Sequence, residues 1–567
     1  MVKIKINNNE YKVSDGLTIL EVCHNIGIKI PTLCYLKGIN EEASCRMCVV
    51  EIKGQTNLVP ACTTKIYDNM EIYTNSVKVI NARKRTLSLI LENHNKECLT
   101  CDKNGFCELQ ELASIYKINL NDYHDKKYEV VVDDNNHSIV RDNSKCILCN
   151  RCINFCKNIQ GVEAIKRINR GIDTFIGSAY NNTLDKTKCV YCGGCVNVCP
   201  TGALIEKSSI EKVYEAFNDP NLLVVACYAP SVRVTIGEEF GYKVGENISS
   251  KLNTALRLMG FSEVFDVTYG ADLTVIEEAT EFMERFRNNE HLPLMTSCCP
   301  GWVNYVKNFY PNYLDNLSSV KSPQGILGSI CKTYYKDKIN LKNKKIFLVS
   351  IMPCIAKKDE IENRSNATID KDVDVVLTTR ELAKMIRLAG INMKNIEGSD
   401  FSSLIGKGNS VIFGSSGGVM ETALRYIREK MENKGSKNLE FKEVRGIKGV
   451  KESEYTIANK KIKVLVVSTL NNIKPFLDSG EINNYHFVEV MACPSGCING
   501  AGTPFIDGYT RSFSDYINKR SKALYGTENN YKSKKAKDNI LVKNVYKEFL
   551  EYPGSNKSKK ILHTKFK

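Results

Sequence analysis

The sequence predicts several small α+β metal-binding modules followed by one larger α/β domain. Cysteines fall in tight groups up to residue 200, whereas from residue 210 near-continuous apolar strands alternate with amphipathic segments. Size agrees, since 567 residues with 43% apolar composition can build three to five domains with ordinary cores. The expected boundaries are 1–78, 79–125, 126–209 and 210–567.

Residues 1–78 alternate short strands (2–6, 49–52 and 70–73) with one helical segment near 19–26. Cys34, Cys45, Cys48 and Cys62 lie in the loops. A plant-type [2Fe–2S] cluster uses C-x4-C-x2-C…C, and here the first gap is ten residues. The longer loop still permits a four-thiolate cage. Cys23, inside the helical segment, is expected as buried packing.

The stretch HNKECLTCDKNGFC (94–107) offers His94, Cys98, Cys101 and Cys107. Nitrogen and sulfur ligands at such spacing suit zinc as well as an iron–sulfur cluster, and the residues alone leave both open.

A duplicated motif comes next: CILCNRCINFC at 146–156 and CVYCGGCVNVCP at 189–200. Each is C-x2-C-x2-C-x3-C, the bacterial ferredoxin run whose fourth cysteine ligates the other cluster. Cys146, Cys149 and Cys152 therefore pair with Cys199, while Cys189, Cys192 and Cys195 pair with Cys156. Lys157 stands where a proline usually follows the first run.

From residue 210, strands are expected at 222–227, 292–297, 345–351, 410–413, 463–469 and 487–491. In buried parallel sheets, sites gather beyond the carboxyl ends of strands. Beyond these ends stand APS (229–231), CCPGW (298–302), MPC (352–354), GSSGG (414–418) and ACPSGC (492–497). Thiolates from three of these stretches can converge on one centre: Cys299, Cys354, Cys493 and Cys497. GSSGG lacks the rest of a phosphate loop and is read as close backbone packing.

TSCCPGW, MPC followed by Lys357, and EVMACPSGCINGAG resemble the three signatures of [FeFe]-hydrogenases, and the likeness covers essentially the whole chain. The first 78 residues resemble the [2Fe–2S] module of respiratory complex I's large iron–sulfur subunit. The His94 stretch resembles the module of one histidine and three cysteines that comes after it, which favours a [4Fe–4S] cluster there over zinc. The resemblance implies one [2Fe–2S] cluster, three accessory [4Fe–4S] clusters and an H-cluster, a [4Fe–4S] cubane joined to a diiron unit with CO, cyanide and a bridging azadithiolate. It implies that Cys299, Cys354, Cys493 and Cys497 hold this centre, with Cys497 as the bridge, and that it performs 2H⁺ + 2e⁻ ⇌ H₂. Ser231 and Lys357 fall where the family places donors to cyanide, and Met352 and Met491 would be soft apolar walls. MTSCCPGW, SSGGVMETA and INGAGTP depart slightly from the usual motifs, and none of these departures removes a ligand.

Adjacent residues on an extended chain face opposite ways, so Cys298 is left to another task. In VIEEATEFMERFR (275–287), Glu278, Glu281 and Arg285 recur at i, i+3 and i+7 and share a helix face. With Ser318 they match the family's proton pathway in the order Cys298, Glu278, Ser318, Glu281, Arg285. The plainer reading is a solvated face with a Glu281–Arg285 pair.

No stretch reaches the roughly 18 apolar residues that span a bilayer, so a cytoplasmic, reducing address without a membrane is expected, and 19 of the 23 cysteines are read as metal ligands, none as a disulfide. The formal charge of +15 falls to about +6 once five clusters are ligated by thiolates. Such a surface suits an acidic electron carrier such as ferredoxin better than nucleic acid. Hydrogenase maturation proteins are the other implied partners, with H₂ and protons as substrates. Two rival functions are a non-catalytic electron-transfer protein of the complex I type and a hydrogenase-related iron–sulfur assembly protein. The Lys-rich stretch 532–567 is expected to be a solvated tail.

Overall fold

In the computed structural model, residues 1–119, 132–363, 371–432, 440–446 and 449–566 are described; the expected boundary at 125/126 falls outside them. The chain forms two compact units. One comprises Met1–Cys189, Gly194–Ile205 and Phe505–Ser514; the other comprises Val190–Gly193, Glu206–Pro504 and Asp515–Lys567. The architecture is small α+β modules plus an α/β domain, as expected.

In the first unit, VKIKI at Val2–Ile6 buries Ile4 and Ile6, the period-two pattern of a half-buried strand. Five strands pair in the order Asn9–Val13, Val2–Ile6, Glu71–Tyr73, Val49–Ile52 and Val59–Pro60. Helix Ile19–Asn25 opens with a Thr18–Glu21 capping box and presses Ile19, Leu20, Val22 and Cys23 onto this sheet. Cys23 is thus packing. Helix Val77–Glu92 buries Val79, Arg83, Leu87 and Leu91, four residues apart on one face, and Arg83 donates to the Val49 carbonyl at 2.8 Å.

The second unit carries two four-stranded sheets. One is fully parallel in the order Glu263–Asp266, Leu222–Tyr228, Lys345–Met352, Val375–Thr378. The other runs Leu294–Met295, Phe487–Met491, Lys460–Ser468, Val450–Ile457, with only the last pair antiparallel. The central strands are apolar throughout because both faces are covered. Helix Val267–Asn288 is N-capped by Asp266, a bond worth about 1 kcal/mol. It can approach Pro323–Ile330 closely because a Cβ on Gly270 would stand only 2.2 Å from the Pro323 carbonyl oxygen.

Two expectations fail. Residues 410–413 are not a strand but part of a 3₁₀ turn, Val411–Gly414. Buried Asp272 takes the amide hydrogens of Asn409 and Ser410 and the Ser410 hydroxyl, so these donors are lost to a ladder. The C-terminal stretch is not a solvated tail. It forms helices Ile540–Val545 and Asn556–Leu562 and buries Val542, Val545, Leu550 and Leu562 in the main core. Its lysines occupy the outer faces while the apolar residues recur at helical spacing beneath them.

Candidate active site and metal centres

Strands Leu222–Tyr228, Lys345–Met352 and Phe487–Met491 end side by side, and the loops after them enclose a buried cavity of about 80 Å³. Its lining brings together Ser231, Cys298, Cys299, Met352, Cys354, Lys357, Met491, Cys493 and Cys497. Cys299 has extended backbone (φ −97°, ψ 107°) and N-caps helix Pro300–Phe309, with proline at the first helical position. Its sulfur accepts the Ala492 N–H at 3.4 Å and lies at the positive end of that helix. The ACPSGC loop fits only because glycines permit close approach: a Cβ on Gly496 (φ +91°) would meet the Ser416 nitrogen at 2.7 Å. GSSGG packs in the same way, for a Cβ on Gly418 would lie 1.9 Å from the Ile412 carbonyl oxygen.

Burial raises all five thiols here, Cys354 to about 12 and Cys298 and Cys493 well above the ordinary range. Such thiols ionise only against positive charge inside the cavity, the condition an iron–sulfur core meets. No disulfide forms among the cysteines. Among the described residues no three His, Cys, Asp or Glu stand at single-ion spacing. Ser231 Oγ is fully buried on this cavity without a hydrogen-bond partner, as a donor awaiting an anionic ligand would be. The Lys357 ammonium donates to the Cys298 carbonyl at 3.0 Å and pairs with Glu360. Glu360 is fixed by Ser322 (2.6 Å) and Gln324 (3.0 Å). Sequence reasoning missed Glu360, Gln324 and Phe413, which carry no motif and reach the site only through folding.

Glu278 is buried, and desolvation followed by the Glu281 charge lifts its carboxyl to about 8. A side-chain hydrogen bond joins Ser318 to Glu278, and the Ser318 hydroxyl donates to Glu281 Oε2 at 2.9 Å. Arg285 donates to Glu281 at 2.7 Å and to the carbonyls of His291, Asp315 and Leu317. The Glu278 charge also acts on Cys298. Hydrogen bonds thus link Glu278, Ser318, Glu281 and Arg285, while Cys298 is tied to the series only through the Glu278 charge; the simple solvated-face reading fails because Glu281 and Arg285 are mostly buried. Also missed was Ser319, whose amide and hydroxyl both bond Glu281.

The other cysteine groups lie in the first unit, apart from Cys192. Cys34, Cys48 and Cys62 are buried and Cys45 lies beside Cys34, which it bonds; the Cys48 and Cys62 sulfurs are 3.3 Å apart. His94 and Cys98 line one cavity with Cys107, which N-caps Glu108–Ile115. His94 Nδ1 is buried without a partner, and burial lowers the imidazole to about 4, leaving a free lone pair for a metal. Cys101 fits beside Gly202, where a Cβ would come within 2.5 Å of its sulfur. Cys146, Cys149, Cys152 and Cys199 line a single cavity, the crossed set of the ferredoxin rule. The amides of Glu163, Ala164 and Ile165 bond Cys156. Cys189 and Cys195 flank Val190–Gly193, a segment that belongs to the second unit, where Cys192 lies near Gly301 and the Cys493 thiol.

Family comparison agrees with this geometry. Residues 223–501 match the C-terminal domain of the iron only hydrogenase large subunit, and 514–567 match the iron hydrogenase small subunit. Residues 1–77 match a 2Fe-2S iron-sulfur cluster binding domain, 83–121 the NADH-ubiquinone oxidoreductase-G iron-sulfur binding region and 137–205 the ferredoxin-like domain of NADH-quinone oxidoreductase subunit 3. Iron hydrogenase 1 of Clostridium pasteurianum is 41% identical over the full length of both chains. The chain belongs to the iron hydrogenase family. The NADP-reducing hydrogenase subunit HndD of Solidesulfovibrio fructosivorans is 39% identical over 100% of this chain and 99% of its own. Among solved [FeFe]-hydrogenases, a variant of HydA1 from Chlamydomonas reinhardtii superposes with TM-score 0.56 at 30% identity, covering 64% of this chain and 99% of that one. Among the described residues of this iron hydrogenase, no helix is long and apolar enough to cross a membrane.

Proposed function

We propose that this iron hydrogenase interconverts protons and H₂ at an H-cluster held by Cys299, Cys354, Cys493 and Cys497, fed by one [2Fe–2S] and three accessory [4Fe–4S] clusters. The observation that carries this reading is the convergence of four ligand thiols, an unpartnered Ser231 hydroxyl, the Lys357 ammonium and the Met352 and Met491 side chains on one dry cavity. When bound, the diiron unit supplies an open metal position for proton reduction. The protein excludes water, holds the cubane through its sulfurs and offers Ser231 and Lys357 to negative ligands.

Protons are delivered by the chain itself. Glu281, beside the Arg285 cation, receives a proton from the surface; Ser318 passes it on; Glu278, lifted to about 8 by burial, holds it near neutrality; and the Cys298 thiol presents it to the cavity. A complex I-type electron carrier would need neither this relay nor the cavity, and an assembly protein would not need the relay.

For the electron donor, the modestly basic surface supports an acidic ferredoxin as partner in the cytoplasm. The likeness to a NADP-reducing subunit supports a second reading, H₂ oxidation with NADP⁺ as the electron acceptor reached through partner subunits. Hydrogen evolution assayed with reduced ferredoxin, and hydrogen uptake assayed with NADP⁺, on protein matured with and without the diiron-inserting machinery, separate these readings. Maturation-dependent CO and CN infrared bands are expected, and their absence would refute the proposed active site.

A further inference from the structure

The proton relay has a branch that no sequence motif marks. Ser319, next to Ser318, donates its hydroxyl to Glu281 Oε1 at 3.0 Å, and its Oγ lies 2.8 Å from His563 Nδ1. Because the one Ser319 hydroxyl hydrogen faces Glu281, the hydrogen between Ser319 and the ring belongs to Nδ1. His563 Nε2 in turn lies 3.1 Å from Glu277 Oε2. Glu277 is fixed by Tyr546 (2.6 Å), the Gly554 amide (3.0 Å) and Ser558 (3.0 Å). Glu277, Glu281, Ser319 and His563 all line an open cavity of about 560 Å³. The two ring nitrogens face different partners, so the imidazole can take up a proton at one and release one from the other, which suits it to uptake from water.

The geometry points to His563 as a second proton gate: it takes protons from the cavity and passes them through Ser319 to Glu281, in parallel with Arg285. This inference rests on the proposed hydrogenase reading and extends it to the C-terminal segment, which supplies the imidazole. The charged ring, carrying hydrogens on both nitrogens, gives its Nδ1 proton to Ser319 Oγ as the Ser319 hydroxyl proton passes to Glu281. The ring is left neutral with its hydrogen on Nε2, shared with Glu277; once the Ser319 hydroxyl turns back to Glu281, Nδ1 is free to take the next proton from cavity water. One proton leaves solvent and one reaches Glu281, with no change of electron count.

The test uses the full-length matured protein. His563→Gly should lower hydrogen evolution about tenfold, less than the 10²–10⁴ usual for an acid–base group because the Arg285 route stays open. Millimolar imidazole should restore most of that loss. Ser319→Ala breaks the same link from the other side and leaves the C-terminal segment intact; it should lose a similar factor that imidazole does not restore. Protein made without the diiron unit gives a readout apart from activity, since the ring signal of isotope-labelled His563 in infrared spectra should shift in Ser319→Ala. Unchanged turnover in both variants with intact CO and CN bands would overturn the gate, as would a His563→Gly loss that imidazole leaves untouched. Failure of the underlying reading looks different: the wild-type protein itself would lack hydrogen evolution and the bands.

Discussion

The Lys357 ammonium donates to the main-chain carbonyl of Cys298 at 3.0 Å while paired with the buried Glu360 carboxylate. One cation thus steadies the backbone of the proposed proton donor and faces the cavity that would hold anionic ligands. Lys357→Met strips Glu360 of its counter-charge, and breaking such a buried pair costs about 3–5 kcal/mol. We expect lower urea resistance and loss of the CO and CN bands after maturation. A variant with full-strength bands would show that Lys357 does not anchor the diiron unit.

Cys298 and Cys299 should fail in different ways. Cys299→Ala removes a cage ligand, and both the cubane and the infrared bands should be lost. Cys298→Ala removes only a titratable thiol; the bands should survive while hydrogen evolution drops on the order of 10²–10⁴-fold. Infrared spectra and gas evolution on both variants check this division, which is wrong if Cys298→Ala keeps near wild-type turnover.

Glu278 gives the relay a pH limit. Its folded carboxyl titrates at about 8 against an ordinary 4.5, so the protonated form is favoured by folding. That contribution to stability is complete below 4.5 and disappears as pH rises through 8. Hydrogen evolution should fall as pH passes about 8, when Glu278 can no longer hand a proton toward Cys298. Glu278→Gln, which keeps shape but cannot ionise, should lose turnover at every pH and show a flatter stability profile between 4.5 and 8. Turnover in that variant equal to wild type would take Glu278 off the path.

His94→Cys tests the assignment of the histidine-ligated [4Fe–4S] cluster. A neutral imidazole donates less charge than a thiolate, so replacement should lower the potential of that cluster and slow electron delivery while the active-site bands stay intact. Redox titration followed by electron paramagnetic resonance reads the shift, and an unchanged potential would mean that His94 is no ligand.

Most of the cavity lining was legible because metal ligation demands particular residue types at short spacings. Cys146, Cys149, Cys152 and Cys199 share a cavity for that reason, and Glu278, Glu281 and Arg285 share a helix face because the period is 3.6 residues. Gln324, Ser319 and His563 were illegible because each matters through a partner tens to hundreds of residues away, and the i, i+3 spacing of Lys357 and Glu360 is common on any helix. Residues 410–413 misled because an apolar run of that length suits a strand or a turn equally, and Asp272 decided it from another element. The C-terminal stretch misled because lysine count hid its helical spacing.

Arg151 sits almost fully buried beside Cys152, bonding the carbonyls of Cys34 and Tyr35 and both oxygens of Glu108. Nearby, Asn40 donates to the carbonyls of Cys34 and Cys149 together. The accessory modules are therefore not beads on a string to be cut and exchanged. Grafting away the N-terminal module would take two carbonyls from Arg151, leaving it Glu108, and would take the Asn40 donor from the Cys149 carbonyl. The fixed positive charge of Arg151 acts on Cys34 and on Cys149, so one cation would set the potentials of two proposed clusters together.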